Sequence, residues 1–282
     1  MTSDQTKADR RSFLRTSGQA LAGLGLTVGG ASLLGEIAAE TEAKTAAAGT
    51  TDSFPTADYD WTKHRWAYGI DATKCIGCMR CVEACKVEND VIRDAHHFRT
   101  WVERYVYLEG EDEPRVDSHA DPLNIAASGS EGEYRFDNRY KDAKVTKAFF
   151  MPKICNHCAH PACVQVCPVG ATFRTEDGVV LIDHDYCIGC RYCVQACPYG
   201  ARFCMEEEGV SDKCTWCYHR ITKGLQPACV DVCPTHARLF GDLNDPNSTI
   251  SEFIRDNQVQ VLKPESGNAP MCFYVGLDKD VA

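Results

Sequence analysis

The chain has 282 residues, a formal net charge of −10 and a pI near 5.4. Hydrophobic residues make up 44% and charged residues 25%, which excludes a globally disordered chain, and the acidic balance argues against a broad basic nucleic-acid footprint. Length allows one or two domains. The outlier is cysteine, with 18 residues, high for an intracellular protein but below the roughly 8–10% that marks a small disulfide scaffold.

The chain opens on a charged segment, Asp9-Arg10-Arg11-Ser12-Phe13-Leu14-Arg15, followed by a mildly apolar, glycine-bearing stretch from Ala20 to Leu34 and Ala-rich sequence to Ala48. That order predicts a signal peptide over 1–43, cleaved near Ala43 or Ala48. The apolar stretch is short for a membrane span of about 20 residues and too rich in glycine. The paired arginines before Phe-Leu resemble a twin-arginine signal. Such a signal implies export of an already folded protein, and so a periplasmic location or one on the outer face of the cytoplasmic membrane. Metal sites could then be built in the reducing cytoplasm before the chain meets an oxidising compartment. No other segment reaches about 18 apolar residues, so the mature chain is expected to have no span of its own.

Residues 44–64 read as a linker into Trp61 and Trp66. Residues 66–74 lead into the first cysteine as a strand would. The first cysteine group follows: Cys75, Cys78, Cys81 and Cys85, spaced C-x2-C-x2-C-x3-C. Residues 98–107 alternate and predict a strand. Residues 109–147 are rich in Gly, Asp, Glu and Ser and read as an inserted surface excursion, either a solvated loop or a docking surface for a partner subunit.

The second group is Cys155, Cys158, Cys163 and Cys167, with C-x2-C-x4-C-x3-C-P. His157 and His160 lie inside it. With the cysteine set complete, they are expected to pack or to hydrogen-bond a cluster sulfur rather than to ligate metal. Gly170-Ala171-Thr172-Phe173 and Val179-Val180-Leu181-Ile182 predict a β-hairpin. The third group is Cys187, Cys190, Cys193 and Cys197, with C-x2-C-x2-C-x3-C-P. The fourth is Cys214, Cys217, Cys229 and Cys233, with C-x2-C-x11-C-x3-C-P. Trp216, inside the fourth group, is expected to shield a cluster from solvent. Residues 250–257 read as a helix. Cys204 and Cys272 stand outside the groups and read as ordinary buried thiols.

The third group matches the bacterial ferredoxin run. Three thiolates in one tight loop can hold three corners of a cubane. The fourth, expected at the start of a helix and pointing away, must ligate a different cluster, and the proline after it suits a first helical turn. A structural zinc site uses two C-x2-C pairs across a longer span, which the tight runs do not fit. Disulfides need separated Cα positions and opposed Cβ vectors, which a C-x2-C-x2-C loop cannot offer to all its thiols. Four complete groups predict four [4Fe–4S] clusters.

Each cluster borrows its fourth ligand from a partner group. The hairpin between groups two and three gives them the compact two-cluster plan, which leaves group one to pair with group four. In this nested scheme Cys75, Cys78, Cys81 and Cys233 hold one cluster, and Cys85, Cys214, Cys217 and Cys229 the next. Cys155, Cys158, Cys163 and Cys197 hold a third, and Cys167, Cys187, Cys190 and Cys193 the fourth. Consecutive pairing, one with two and three with four, is the rival scheme.

The four-group layout, with Cys-Asn-His-Cys-Ala-His-Pro-Ala-Cys in group two and Cys-Thr-Trp-Cys-Tyr-His-Arg-Ile in group four, resembles the four-cluster ferredoxin-type subunits of membrane-linked oxidoreductases. The resemblance covers roughly residues 66–280. Such subunits serve polysulfide, tetrathionate and dimethyl sulfoxide reductases and the quinone-linked complex of sulfite-reducing organisms. It favours the nested scheme. It implies an α+β fold of two interlocked bacterial-ferredoxin-like dicluster units, the second inserted in the first. The outer unit would be 65–108 with 205–262, the inner one 148–204, and 263–282 a C-terminal tail. It also implies a non-catalytic role: relaying single electrons between a catalytic subunit, often molybdopterin-containing, or a cytochrome subunit and an integral membrane quinone-binding subunit. The alternative is a free periplasmic multi-cluster electron carrier.

Overall fold

The computed structural model describes residues 59–94, 96–118 and 135–281. The expected signal peptide with both cleavage points, the linker up to residue 58, and residues 119–134 of the excursion lie outside the described residues. Among those described, no helix is long and apolar enough to cross a membrane.

Four small sheets and a set of short helices make up the described fold. Strand β1 (Trp66–Asp71) carries the chain toward the first cysteine, and a 3-10 turn over Ala72–Lys74 completes the approach. Helix α1 (Arg80–Glu88) follows, then β2 (Thr100–Leu108), β3 (Arg115–Ser118) and β4 (Val145–Ile154). Strand β2 pairs antiparallel with both neighbours, in register Thr100 to Ile154 and Tyr105 to Val116. Part of the expected surface excursion is therefore sheet. Arg104 on β2 ties it down through ion pairs with Asp117 and Asp137, at 2.6 and 3.2 Å. The low hydrophobicity of 109–147 conceals this: the strand offers one apolar side chain to the core, Val116, and charge pairs supplement it.

Two hairpins follow in the middle of the chain, with a short helix before each. They are α2 (Ala162–Gln165), β5 (Thr172–Arg174), β6 (Val180–Ile182), α3 (Tyr192–Ala196), β7 (Arg202–Met205) and β8 (Val210–Lys213). The predicted pairing of β5 with β6 is present, Thr172 opposite Ile182. Helices α4 (Tyr218–Ile221) and α5 (Ala228–Asp231) precede β9 (Arg238–Asp242) and α6 (Thr249–Asp256). The Ser248 side chain accepts from the Ser251 N–H to cap α6, and Ile250 and Phe253 bury its apolar face.

The helices explain the Cys-Pro punctuation and correct one expectation. The fourth cysteine of a group does not begin a helix. The third lies within one, and the fourth follows a turn later. Where proline comes next, after Cys167, Cys197 and Cys233, the helix has ended within five residues. Proline has no N–H to donate and disfavours α geometry at the residue before it. In group one the next residue is Lys86, and α1 runs through Cys85 for nine residues.

A second correction concerns the tail. Strand β10 (Cys272–Val275) pairs parallel with β1, which pairs antiparallel with β9 on its other side. Cys272 and Tyr274 are fully buried in the main core. The expected tail thus supplies a strand of the sheet ordered β10-β1-β9. A four-residue strand that pairs with a partner two hundred residues away leaves no local signature. Tyr274→Ala should therefore destabilise the protein by about 3–5 kcal/mol, the range for losing a large buried aromatic. Denaturant unfolding checks this, and a dispensable tail would give no change.

Candidate functional site

The four C-x2-C loops share one backbone device. The residue just before the second cysteine has a left-handed φ in each: Gly77 at +66°, His157 at +39°, Gly189 at +64° and Trp216 at +54°. Glycine adopts this freely. A Cβ at Gly189 would sit 2.2 Å from the Gly209 carbonyl oxygen, and one at Gly77 2.5 Å from the Phe150 ring. In groups two and four, bulky aromatics accept the unfavourable geometry, and packing holds them there. His157 and Trp216 stack on each other with centroids 4.0 Å apart, both essentially inaccessible to solvent. The Val180 N–H donates to His157 Nδ1 at 3.0 Å, which places the ring proton on Nε2. Burial, reinforced by the Lys213 charge, keeps this imidazole neutral.

Residues of different groups converge in the fold. Cys75, Cys78, Cys81 and Cys233 line one cavity, and Cys155, Cys158, Cys163 and Cys197 another. Cys85 faces Cys229 and Cys217 electrostatically, and Cys214 faces Cys85, Cys229 and Cys217. Group one therefore meets group four, and α1 packs on α5. Group two meets the last cysteine of group three. Further neighbour relations join these sets in series: Cys81 to Cys229, and Cys214 to Cys155. Cys167 sits at the mouth of the β5–β6 hairpin, where the Thr172 N–H donates to its Sγ at 3.5 Å. Most cysteines are buried or half-buried; Cys78 and Cys190 are exposed. Cys272 is buried as expected, whereas Cys204 is only partly covered.

Burial governs the acid–base state of these thiols. It pushes Cys75 up to about 11 and Cys158 up to about 12, and raises Cys85 and Cys214 well above the usual thiol range. Thiolate is the form that binds iron, so metal must displace the proton. Cys167 shows the opposite balance. Burial raises it, but backbone N–H groups from Thr172, Val169, Ala171 and Gly170 outweigh that and hold it low.

The surroundings fit an anionic iron–sulfur group. Trp216 Nε1 and Asn156 Nδ2 are buried donors without a partner among the described residues, and buried donors normally have one. Several side chains already aim at sulfur. Tyr68 OH lies 3.2 Å from Cys229 Sγ, and Arg202 Nη2 donates to Cys163 Sγ at 3.1 Å. Asn89 Nδ2 reaches Cys85 and Cys217 Sγ at 3.6 and 3.7 Å, its Oδ1 held by Arg99. Spacing singles out none of Tyr68, Asn89 or Arg202, because each lies outside the cysteine runs. Of the predicted neighbours, Trp216 is fully enclosed among Tyr68, His157 and Phe240. His160 donates its backbone N–H to the Asn268 carbonyl.

Comparison with known proteins agrees. Residues 74–171 and 146–243 each match a family described as a 4Fe-4S dicluster domain. These matches follow the chain linearly and overlap, whereas the cysteine neighbours cross it. A tetrathionate reductase subunit of Salmonella typhimurium is 40% identical over 219 residues, covering 77% of this chain and 74% of that one. A sulfite dehydrogenase subunit of Allochromatium vinosum is 38% identical over 218 residues, covering 73% and 80%. An iron-sulfur subunit of the Hdr-like menaquinol oxidoreductase of Archaeoglobus fulgidus is 33% identical over 257 residues, covering 76% and 84%.

Gly189→Ala should strain its loop by about 1–3 kcal/mol or more and lower iron retention. Iron per chain, compared with Gly224→Ala, where a Cβ meets open space at a similarly left-handed φ, separates the clash from the backbone term.

Proposed function

The chain belongs to the family of 4Fe–4S dicluster iron–sulfur subunits of oxidoreductases, and from that premise we propose how its cysteines are wired and where the relay works. It is an electron-transfer subunit that carries four [4Fe–4S] clusters in a respiratory complex. The clusters supply one-electron chemistry over potentials that hydrogen bonds, charge and burial set. The chain supplies thiolates, exclusion of water and oriented donors.

The ligand sets are the nested ones. Cys75, Cys78, Cys81 and Cys233 form the first, and Cys85, Cys214, Cys217 and Cys229 the second. Cys155, Cys158, Cys163 and Cys197 form the third, and Cys167, Cys187, Cys190 and Cys193 the fourth. The observation that carries this is the Asn89 amide, which reaches both Cys85 Sγ at 3.6 Å and Cys217 Sγ at 3.7 Å across well over a hundred residues. On this reading the unit holding groups two and three is inserted in the unit built from groups one and four. The contact of α1 with α5 and the pairing of β1 with β9 support it. Electrons pass along the series, and the exposed Cys78 and Cys190 mark the two ends where partners exchange them.

One partner is a catalytic subunit, molybdopterin-containing, or a cytochrome subunit. The other is an integral membrane protein that reacts with quinone. The relatives named as subunits of tetrathionate and sulfite enzymes support the first, and the menaquinol oxidoreductase subunit supports the second. The complex operates on the outer face of the cytoplasmic membrane after export through the twin-arginine route. The Arg10-Arg11 motif supports this.

Cys85→Ser should disturb the reduced EPR signal of the cluster held by Cys214, Cys217 and Cys229, and spare that of Cys75, Cys78 and Cys81; the reverse pattern refutes the nested sets. Purification of the tagged chain from detergent-solubilised membranes should bring down a multi-span protein. A chain that emerges soluble and alone, fully loaded with iron, would be a free carrier instead.

A further inference from the structure

Two arginines are buried without a carboxylate. Arg238 is 2% exposed and Arg202 5%, and among the described residues neither lies in an ion pair with Asp or Glu. Two other enclosed arginines, Arg99 and Arg104, are paired. Arg99 holds Asp212 with two hydrogen bonds, and Arg104 holds Asp117. A guanidinium stays charged in proteins, and an unpaired buried charge is strongly unfavourable. The counter-charge must come from elsewhere.

Both arginines face sulfur. Arg238 lies in the wall of the cavity lined by Cys75, Cys78, Cys81 and Cys233, and it interacts electrostatically with Cys81 and Cys229. Those two cysteines belong to the two sets of the outer unit. Arg202 lies in the wall of the cavity lined by Cys155, Cys158, Cys163 and Cys197, donates to Cys163 Sγ, and interacts with Cys193. Those two belong to the two sets of the inner unit. Each dicluster unit thus has one arginine between its two sulfur sets.

Sequence repeats the arrangement. Cys197-Pro198-Tyr199-Gly200-Ala201-Arg202 and Cys233-Pro234-Thr235-His236-Ala237-Arg238 place arginine five residues after the last cysteine of their groups, at the first position of β7 and β9. The turn is the same in both, with left-handed φ at Gly200 and His236. Group two has Cys167-Pro168-Val169-Gly170-Ala171-Thr172, and there the Thr172 hydroxyl accepts from Arg202 Nη1 at 3.2 Å.

Arg238 also directs a neighbour. Its Nη1 donates to Tyr68 OH at 3.3 Å, and its Nη2 to Thr100 Oγ1 at 2.9 Å. Tyr68 OH is 3.2 Å from Cys229 Sγ. With the phenol oxygen accepting from Arg238 and the cysteine deprotonated, the Tyr68 proton can go only to the sulfur. Positive charge thereby reaches Cys229 through a neutral donor.

We propose that Arg202 and Arg238 are built-in counter-cations of the relay, each shared by the two clusters of one unit and each raising the potentials of both. This rests on the nested ligand sets. An oxidised cluster with four thiolates carries a charge of about −2, and reduction makes it more negative. A fixed cation between two clusters stabilises the reduced form of each, so its removal lowers both midpoint potentials.

The test is a potentiometric titration of the full, cluster-loaded chain followed by EPR, with iron per chain measured in parallel. Arg202→Met should shift downward the two signals that Cys197→Ser and Cys167→Ser perturb. Arg238→Met should do the same to the pair marked by Cys233→Ser and Cys85→Ser. The Arg→Lys variants should stay near the parent potentials. Unchanged potentials in iron-replete Met variants overturn the proposal. If the Met variants fail to load iron, the Lys variants decide: loading at near-parent potentials upholds the proposal, and any other result overturns it. A downward shift in the wrong pair of signals upholds the counter-cation role and refutes the ligand sets.

Discussion

Cys85, Cys214 and Cys229 are buried side by side, and burial drives each toward the neutral thiol when iron binding requires the thiolate. The rest of the fold answers that conflict. Donors converge on the sulfurs from outside the cysteine runs: the hydroxyl of Tyr68, the amide of Asn89 and the guanidinium of Arg202. Arg99, fixed by Asp212, orients Asn89, and Arg238 orients Tyr68. A hydrogen bond to a sulfur anion in a dry interior is worth more than the same bond in water, so the layer around the thiols is as specific as the thiols themselves.

Backbone geometry answers the same constraint. A C-x2-C loop that turns two sulfurs inward needs one left-handed residue before its second cysteine. Gly77 and Gly189 meet that need where the loop runs against Phe150 or the Gly209 carbonyl. His157 and Trp216 meet it in the centre, and their stack fills the space between the second and fourth groups. The two central loops are thus braced against each other, while Cys78 and Cys190 in the other two loops are exposed. Enclosure at the stacked pair and exposure at Cys78 and Cys190 suit an electron-transfer subunit.

Much of this is legible in sequence because the cysteine spacing is short-range information. The β5–β6 hairpin, the β2 strand and helix α6 all follow from local pattern. What sequence hides is long-range or electrostatic. Strand β10 is four residues of unremarkable sequence whose partner is at the other end of the chain. Strand β3 has little apolar alternation, with Val116 on the core and Asp117 paired to Arg104. The helices lie on the other side of the fourth cysteine from the expected one, because the proline there follows a turn already made instead of starting a helix. Arg202 and Arg238 repeat visibly after Cys-Pro, yet an arginine gains meaning only when its burial is known.

In the proposed ligand sets, each cluster draws its sulfurs from distant stretches of the chain. Such sharing would make one interlocked relay from groups that sequence presents as four separate runs. Anomalous diffraction at the iron edge from crystals of the cluster-loaded protein tests it most directly. The account predicts four iron sites in series, with Cys233 completing the site of Cys75, Cys78 and Cys81, and Cys85 completing that of Cys214, Cys217 and Cys229. Iron bridged instead between Cys81 and Cys167, with groups three and four sharing the other two sites, would contradict it.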